Sequence, residues 1–219
     1  MIKIAHLSDT HIKLKDIKDY KEIFKSLFEI LEKESPDLIV HSGDLGHTKT
    51  HISPEYVDLA SFFLKGLADI ANTIIIPGNH DLNVKSPDRM DAISPLVNNL
   101  NHPNLRYFKQ SQEYIFNDKI TFNVLSLCDK ENWKLIPSNP DTINIALYHG
   151  SVSGVETDAG WMMRHGECSL ETFGEFDFGM FGDIHKSNQI LDDDGKFRYP
   201  GSTIQQNFGE TNDKGFLIW

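Results

Sequence analysis

The sequence has only two cysteines in 219 residues, Cys128 and Cys168, and their spacing matches no disulfide framework or thiolate metal motif. A reducing, cytoplasmic compartment is therefore the expectation. Long apolar runs are missing too. Leu38–Val40 and Thr73–Pro77 are each interrupted within a few positions, far short of the ~20 residues a membrane helix needs. The opening Met1-Ile2-Lys3-Ile4 lacks the shape of a signal peptide, and no membrane partner is expected. Positive charge is scarce: 21 Lys and Arg against 32 Asp and Glu leave a formal net charge of −11. Such a chain does not draw phosphate backbones by bulk charge. Any action on nucleic acid needs a local device, and bound divalent cations would serve. The ten histidines and the abundance of Asp point the same way.

What is present is ordinary globular composition, 39% hydrophobic and 24% charged. At ~150 residues per domain the whole of 1–219 reads as one domain. Ile2–Leu7 reads as a strand. Apolar residues at Ile17, Tyr20, Phe24, Leu27, Phe28 and Leu31 recur at helical spacing. Asp37–Val40 is a second strand. Ser53-Pro54-Glu55 opens a helix that runs to about Ile70, with Ser53 as cap and Pro54 at the first helical position. Thr73–Ile76 is a third strand, and Arg89–Leu100 a further helix. After Leu105 short strands dominate: Arg106–Phe108, Tyr114–Phe116, Ile120–Leu127, Ile143–Tyr148, Phe178–Phe181, Gln189–Leu191, Phe197–Tyr199 and Phe216–Trp219. Asp192–Gly195 reads as a hairpin turn. Two sheets between layers of helix are the expected architecture.

Metal-ligand residue types sit just beyond five of these strands. Asp9 and His11 follow the first, and Asp44 the second. Asn79, His80 and Asp81 follow the third. His149 follows Ile143–Tyr148, and Asp183 and His185 follow Phe178–Phe181. Each short motif alone reads equally well as a turn or a satisfied core histidine. Five of them at five strand ends, where open α/β sheets place their ligands, point to one shared crevice.

In this arrangement the sequence resembles the calcineurin-like metallophosphoesterases, whose blocks are Asp-x-His, Gly-Asp, Gly-Asn-His-Asp or -Glu, a lone His, and Gly-His-x-His. The resemblance runs from Asp9 to His185. It implies a four-layer α/β/β/α double β-sandwich and two divalent metals. By resemblance, Asp9, His11, Asp44 and His185 hold one metal, and Asp44, Asn79, His149 and Asp183 the other, with Asp44 bridging. Mixed imidazole and oxygen ligands without thiolate suit Mn²⁺, Fe²⁺ or Zn²⁺ better than Ca²⁺, and the resemblance to the family's nucleases implies Mn²⁺, with Mg²⁺ as a further alternative. One position departs from the pattern: Asp183 stands where the family has the first His of its last block. A carboxylate there still ligates, and hardens the second site towards Mn or Mg; the competing reading is a degenerate site.

Gly43-Asp44-Leu45-Gly46-His47 and the tail Tyr199-Pro200-Gly201-Ser202, Phe208-Gly209-Glu210, Lys214-Gly215-Phe216 are similar to the SbcD-type DNA repair exonucleases. The resemblance implies hydrolysis of DNA phosphodiester bonds by water activated between the metals. It casts His80, oriented by Asp81, as transition-state stabiliser or acid, and His47 as a phosphate-positioning residue. Lys13 and Lys15 are candidates for backbone contact, whereas Lys21 and Lys25 read as a solvated helix face. In the long loop Gly150–Glu167, Trp161 and Arg164 are candidates for contact with an unpaired base, with core packing as the other reading of Trp161. That branch also implies a capping domain, a segment binding a SbcC-type coiled-coil ATPase, and a homodimer; neither the cap nor the ATPase-binding segment is recognisable in these 219 residues. Two other functions stay open: a phosphodiesterase for cyclic nucleotides or other small esters, which the acidic charge suits, and a catalytically weak scaffold, for which Asp183 is the argument.

Overall fold

A computed structural model describes residues 2–14, 17–136 and 138–219. Strands β1 (Ile4–Leu7), β2 (Leu38–His41), β3 (Asn72–Ile75) and β4 (Leu105–Tyr107) run parallel in one sheet. β11 (Leu217–Ile218) closes its edge antiparallel to β1, giving the order β11-β1-β2-β3-β4. The second sheet has the order β5-β6-β7-β8-β10-β9. It comprises β5 (Gln112–Ile115), β6 (Ile120–Leu125), β7 (Ile143–His149), β8 (Phe178–Gly182), β9 (Gln189–Ile190) and β10 (Phe197–Tyr199). β6, β7, β8 and β10 are parallel to one another, and the edge strands β5 and β9 pair antiparallel with β6 and β10. β1 and β2 are buried along their whole length, as parallel strands covered on both faces must be.

Period-2 alternation divides the buried side chains between layers. Ile4, Leu38, Val40, Ile74 and Ile76 face Phe122, Val124, Ile145, Leu147 and Met180, forming the seam between the sheets. Ala5, Leu7, Ile39 and Ile75 face the other way, against helices α1 (Ile17–Glu34) and α2 (Pro54–Ile70). α1 buries Tyr20, Phe24, Leu27 and Leu31, a stripe at three- and four-residue spacing. The Ser53 side chain accepts the Tyr56 N–H at 3.2 Å and Pro54 occupies the first turn of α2, as the sequence predicts.

Two details differ from the sequence reading. The helix expected over Arg89–Leu100 begins only at Ser94 (α3, Ser94–Leu100). The Asp91 carboxylate captures the N–H groups of Ile93 and Ser94 at 2.9 and 2.7 Å, a turn that competes with helix in the preceding residues. The outer layer on the second sheet is built from two short 3₁₀ helices, Lys130–Leu135 and Leu170–Phe173, rather than long α-helices. Their Trp133 and Phe173 rings pack on Tyr148 and Phe181 of the sheet. Among the described residues no helix is long and apolar enough to cross a membrane.

Candidate active site and metal centre

The parallel strands of both sheets deliver their carboxyl ends to one rim. The loop after β1 carries Asp9 and His11, the loop after β2 carries Asp44, β7 ends at His149, and β8 leads into Asp183 and His185. The first two loops are laced together by backbone bonds, Asp9 N–H to Gly43 O and His11 N–H to Asp44 O, both 3.0 Å. The sheets are joined across the rim by the Asp183 N–H donating to Asp9 Oδ2 at 3.0 Å. His149 Nδ1 adds a second tie, to the Ser42 carbonyl at 2.7 Å.

Four site residues hold left-handed backbone: Asp9 (φ 52°), His11 (43°), Asp44 (56°) and Asp183 (97°). Such conformations cost about 1–3 kcal/mol each and persist where the surroundings over-determine them. Two glycines permit the crowding. A Cβ on Gly78 would strike the Asp44 carboxylate, and one on Gly43 (φ 105°) would strike the His149 ring.

Six side chains converge. His11 Nε2 lies 3.6 Å from Asp9 Oδ1, 3.4 Å from Asp44 Oδ2 and 3.1 Å from His185 Nε2. His149 Nε2 lies 3.5 Å from the same Asp44 Oδ2 and 3.9 Å from Asp183 Oδ1. Asp44 Oδ2 thus stands between an imidazole from each expected ligand set, while its Oδ1 accepts the His80 N–H at 2.8 Å. Asp9, His11 and His185 form one group able to hold an ion, and Asp9, Asp44 and His149 another.

The donor set fits divalent cations. Asp9 Oδ1 and His149 Nε2 are buried and take no hydrogen bond, an arrangement that is costly unless something positive completes it. The carbonyl of Ser42 fixes a proton on Nδ1 of His149, so in the neutral ring Nε2 is the lone-pair nitrogen. The electrostatics agree. Burial lowers the proton affinity of His149 and His11, yet the surrounding carboxylates reverse this; Asp44 and Asp9 raise both imidazoles above their usual range. Burial disfavours the charged form of Asp9 and Asp44, but the imidazoles hold both carboxyls below theirs. Burial first, then Asp9 and Asp44 against the pull of His149, push Asp183 up to about 6.

The remaining expected residues are placed differently. Asn79 is exposed, and its carbonyl accepts Lys49 Nζ at 2.9 Å. His80 and His47 lie at the mouth with ring centroids 5.8 Å apart, and the His80 ring packs edge-on against His11 at 4.8 Å. The expected Asp81–His80 pair is not what orients His80. His80 Nδ1 binds the His47 carbonyl at 2.6 Å. Asp81 is fully buried and accepts the N–H groups of Gly78, Leu45 and Gly46 at 2.9, 3.2 and 3.1 Å. Its role is to clamp the second and third loops together, because both its oxygens are directed at backbone donors. Burial and Asp44 push its carboxyl up to about 7.

Lys13 donates to the Gln206 carbonyl at 2.8 Å, and Lys15 lies outside the described residues. Lys21 pairs with Asp58 at 2.7 Å on the helix face. Trp161 is 61% exposed rather than packed in the core. It lies in a turn closed by Thr157 N–H to Trp161 O at 2.9 Å, with Arg164 also exposed. One site role was not foreseen: Glu210 Oε1 lies 2.9 Å from His185 Nδ1. Only its place in the Phe208-Gly209-Glu210 tail motif marked it in the sequence; nothing local tied it to His185.

Over residues 2–187 the sequence matches the calcineurin-like phosphoesterase family. The chain belongs to that family of phosphoester hydrolases, whose metallophosphoesterase fold it has. It is 40% identical over 232 residues to uncharacterized protein R555 of Acanthamoeba polyphaga mimivirus, covering 99% of this chain and 17% of that protein. It is 28% identical over 216 residues to the DNA double-strand break repair protein Mre11 of Saccharolobus solfataricus, covering 89% of this chain and 52% of that one. With the SbcD component of the nuclease SbcCD from Staphylococcus epidermidis it shares 28% identity over 249 residues, covering 99% and 65%. The chain therefore spans less than two thirds of the length of each of these relatives.

Proposed function

We propose that this chain is a dimetal phosphodiesterase that hydrolyses DNA. The observation that carries the reading is the groove beside the ligand cluster. It has a volume of about 560 Å³, runs past His47 and His80, and is lined by Lys49 and Lys85. A second opening of about 370 Å³, also lined by His47, brings in Lys13. Small ligands are usually held in closed, mostly apolar pockets. An open groove with lysines along it suits a polymer whose successive phosphates pass through, and local lysines meet the requirement set by the net charge of −11. The kinship with Mre11 and SbcD supports the same substrate class.

Asp9, His11, Asp44 and His185 would hold one cation and Asp44, Asn79, His149 and Asp183 the other, with manganese the expected occupant. When bound, the cations supply Lewis-acid polarisation of the phosphate and lower the pKa of water. The chain supplies the rest. With Nδ1 committed to the His47 carbonyl, His80 presents Nε2, which in the imidazolium form gives its proton to the leaving oxygen. His47 positions a phosphate oxygen beside it. Lys49 and Lys85 neutralise flanking phosphates, and Trp161 offers its exposed ring to an unpaired base.

The test is digestion of end-labelled single- and double-stranded DNA with Mn²⁺, beside a chromogenic small phosphodiester. Cleavage of DNA that EDTA abolishes is the expected result. Hydrolysis of the small ester alone would favour the small-substrate reading, to which the acidic charge lends weight. Two bound ions without turnover of either would favour the scaffold.

A further inference from the structure

We infer that Glu210, backed by Lys214 and Asp158, is a positioning unit for His185 that also ties the loop at 150–167 to this ligand. The inference rests on His185 being a metal ligand. Glu210 lies beyond the matched family region, and its side chain is 3% exposed. Its Oε1, 2.9 Å from His185 Nδ1, keeps a proton on that nitrogen. Nε2 is thereby left as the lone-pair atom, 3.1 Å from His11 Nε2 and 3.9 Å from Asp9 Oδ1. The carboxylate is itself held, by the Gln206 N–H at 2.9 Å, Asn207 Nδ2 at 2.9 Å and Ser202 Oγ at 3.3 Å.

Behind it, Lys214 is 5% exposed and reaches three places at once. Nζ donates to the His185 carbonyl at 2.7 Å and lies 3.3 Å from Glu210 Oε2. It also lies 3.4 Å from both oxygens of Asp158, itself 9% exposed. Buried ion pairs add little net stability against apolar side chains of the same size. A carboxylate on the far nitrogen of a ligating imidazole does have a function: it fixes the tautomer and strengthens the ligand. Because Lys214 grips both the His185 backbone and Asp158, the orientation of the ligand and the seat of the loop carrying Trp161 become one constraint.

The experiment is Mn²⁺ titration of the full chain by calorimetry and EPR. Wild type, Glu210→Gln and Glu210→Ala are compared, with ¹⁵N NMR of the His185 ring and thermal melts of the metal-free proteins. Glu210→Ala should weaken one of two manganese sites ~10–100-fold, leave the other unchanged, and mix the His185 tautomers. Glu210→Gln keeps an acceptor oxygen and should fall between, with a metal-free melt close to wild type; it carries the test if the alanine variant fails to fold. Asp158→Asn should raise protease cleavage within 156–163. Wild-type affinity at both sites in both Glu210 variants, with an unchanged tautomer, would overturn the inference. A wild type that binds no manganese would overturn it together with the metal-site reading. Two bound ions without DNA cleavage would overturn only the DNA reading.

Discussion

His80 and Asp81 are neighbours in sequence with separate tasks, and their variants should separate accordingly. His80 touches the cluster through its backbone N–H and the edge of its ring. His80→Ala should keep bound metal while slowing cleavage by ~10²–10⁴-fold, the usual size of a general acid's contribution. Metal lost in step with rate would make His80 a ligand. Asp81→Ala strands three buried backbone donors, each worth about 1–3 kcal/mol when unpaired. It should lower the denaturation midpoint far more than His80→Ala, as urea melts of both would show. Asp183 is the third case. Asp183→Asn should weaken one manganese site more than the other, and Asp183→His should retain activity with more tolerance of zinc. Metal stoichiometry of one ion in wild type and both variants would remove the dimetal mechanism. The ligand types were legible in the sequence because each follows a buried strand. The partner of Asp81 was not, since a carboxylate beside a histidine reads the same whether it faces the ring or the backbone.

Strands β1 and β2 carry buried histidines that serve no ligand role. His6 Nε2 meets Ser42 Oγ at 2.9 Å, and His41 Nε2 meets Thr10 Oγ1 at 2.8 Å while its Nδ1 accepts the Gly43 N–H. Burial above all pushes His6 down to about 3 and His41 down to about 4. The unfolded chain therefore binds protons that the folded one refuses. The contribution of these two histidines is full above about pH 6.5 and falls as pH drops towards those values, by ~1.4 kcal/mol per pH unit for each site. Asp81 and Asp183, pushed up to about 7 and about 6, gain protons on folding over the same range and act in the opposite sense. Denaturant melts of the metal-free protein from pH 7 to 5 read the balance of these groups, and His41→Gln should shift the slope by one proton relative to wild type, towards greater stability at low pH. An unaltered slope would mean that His41 is charged in the fold. Strands and the two long helices were readable from period and capping. The late start of α3 was not, because it depends on the Asp91 side chain taking backbone N–H groups. Nor were the 3₁₀ helices over the second sheet, whose few apolar positions, such as Trp133 and Phe173, are too short a run to show a period.

For the whole molecule, the site is part of the fold's stability. Cation at 100 times its Kd adds ~2.7 kcal/mol per site, which for a domain of this size is about 5–11 °C in Tm. EDTA should lower the melting temperature by that order, and Mn²⁺ should restore it. Loading should also release protons, because His11 and His149 lie above their usual range without a cation. Calorimetry in buffers of different ionisation enthalpy measures this, and a buffer-independent enthalpy would contradict it. The double sandwich was legible as a whole because the two halves change pattern, βαβ first and short strands after. The closure of the first sheet has a further consequence. β11 pairs with β1, Thr203 bonds to the Ser8 carbonyl at 2.9 Å, and Glu210 reaches His185. A nascent chain that has emerged as far as Ile190 already carries every expected ligand, yet lacks the strand and the carboxylate that set them in place. The ligand cluster is thus completed in space only by residues downstream of every expected ligand, so its ordering depends on Thr203, Glu210 and β11.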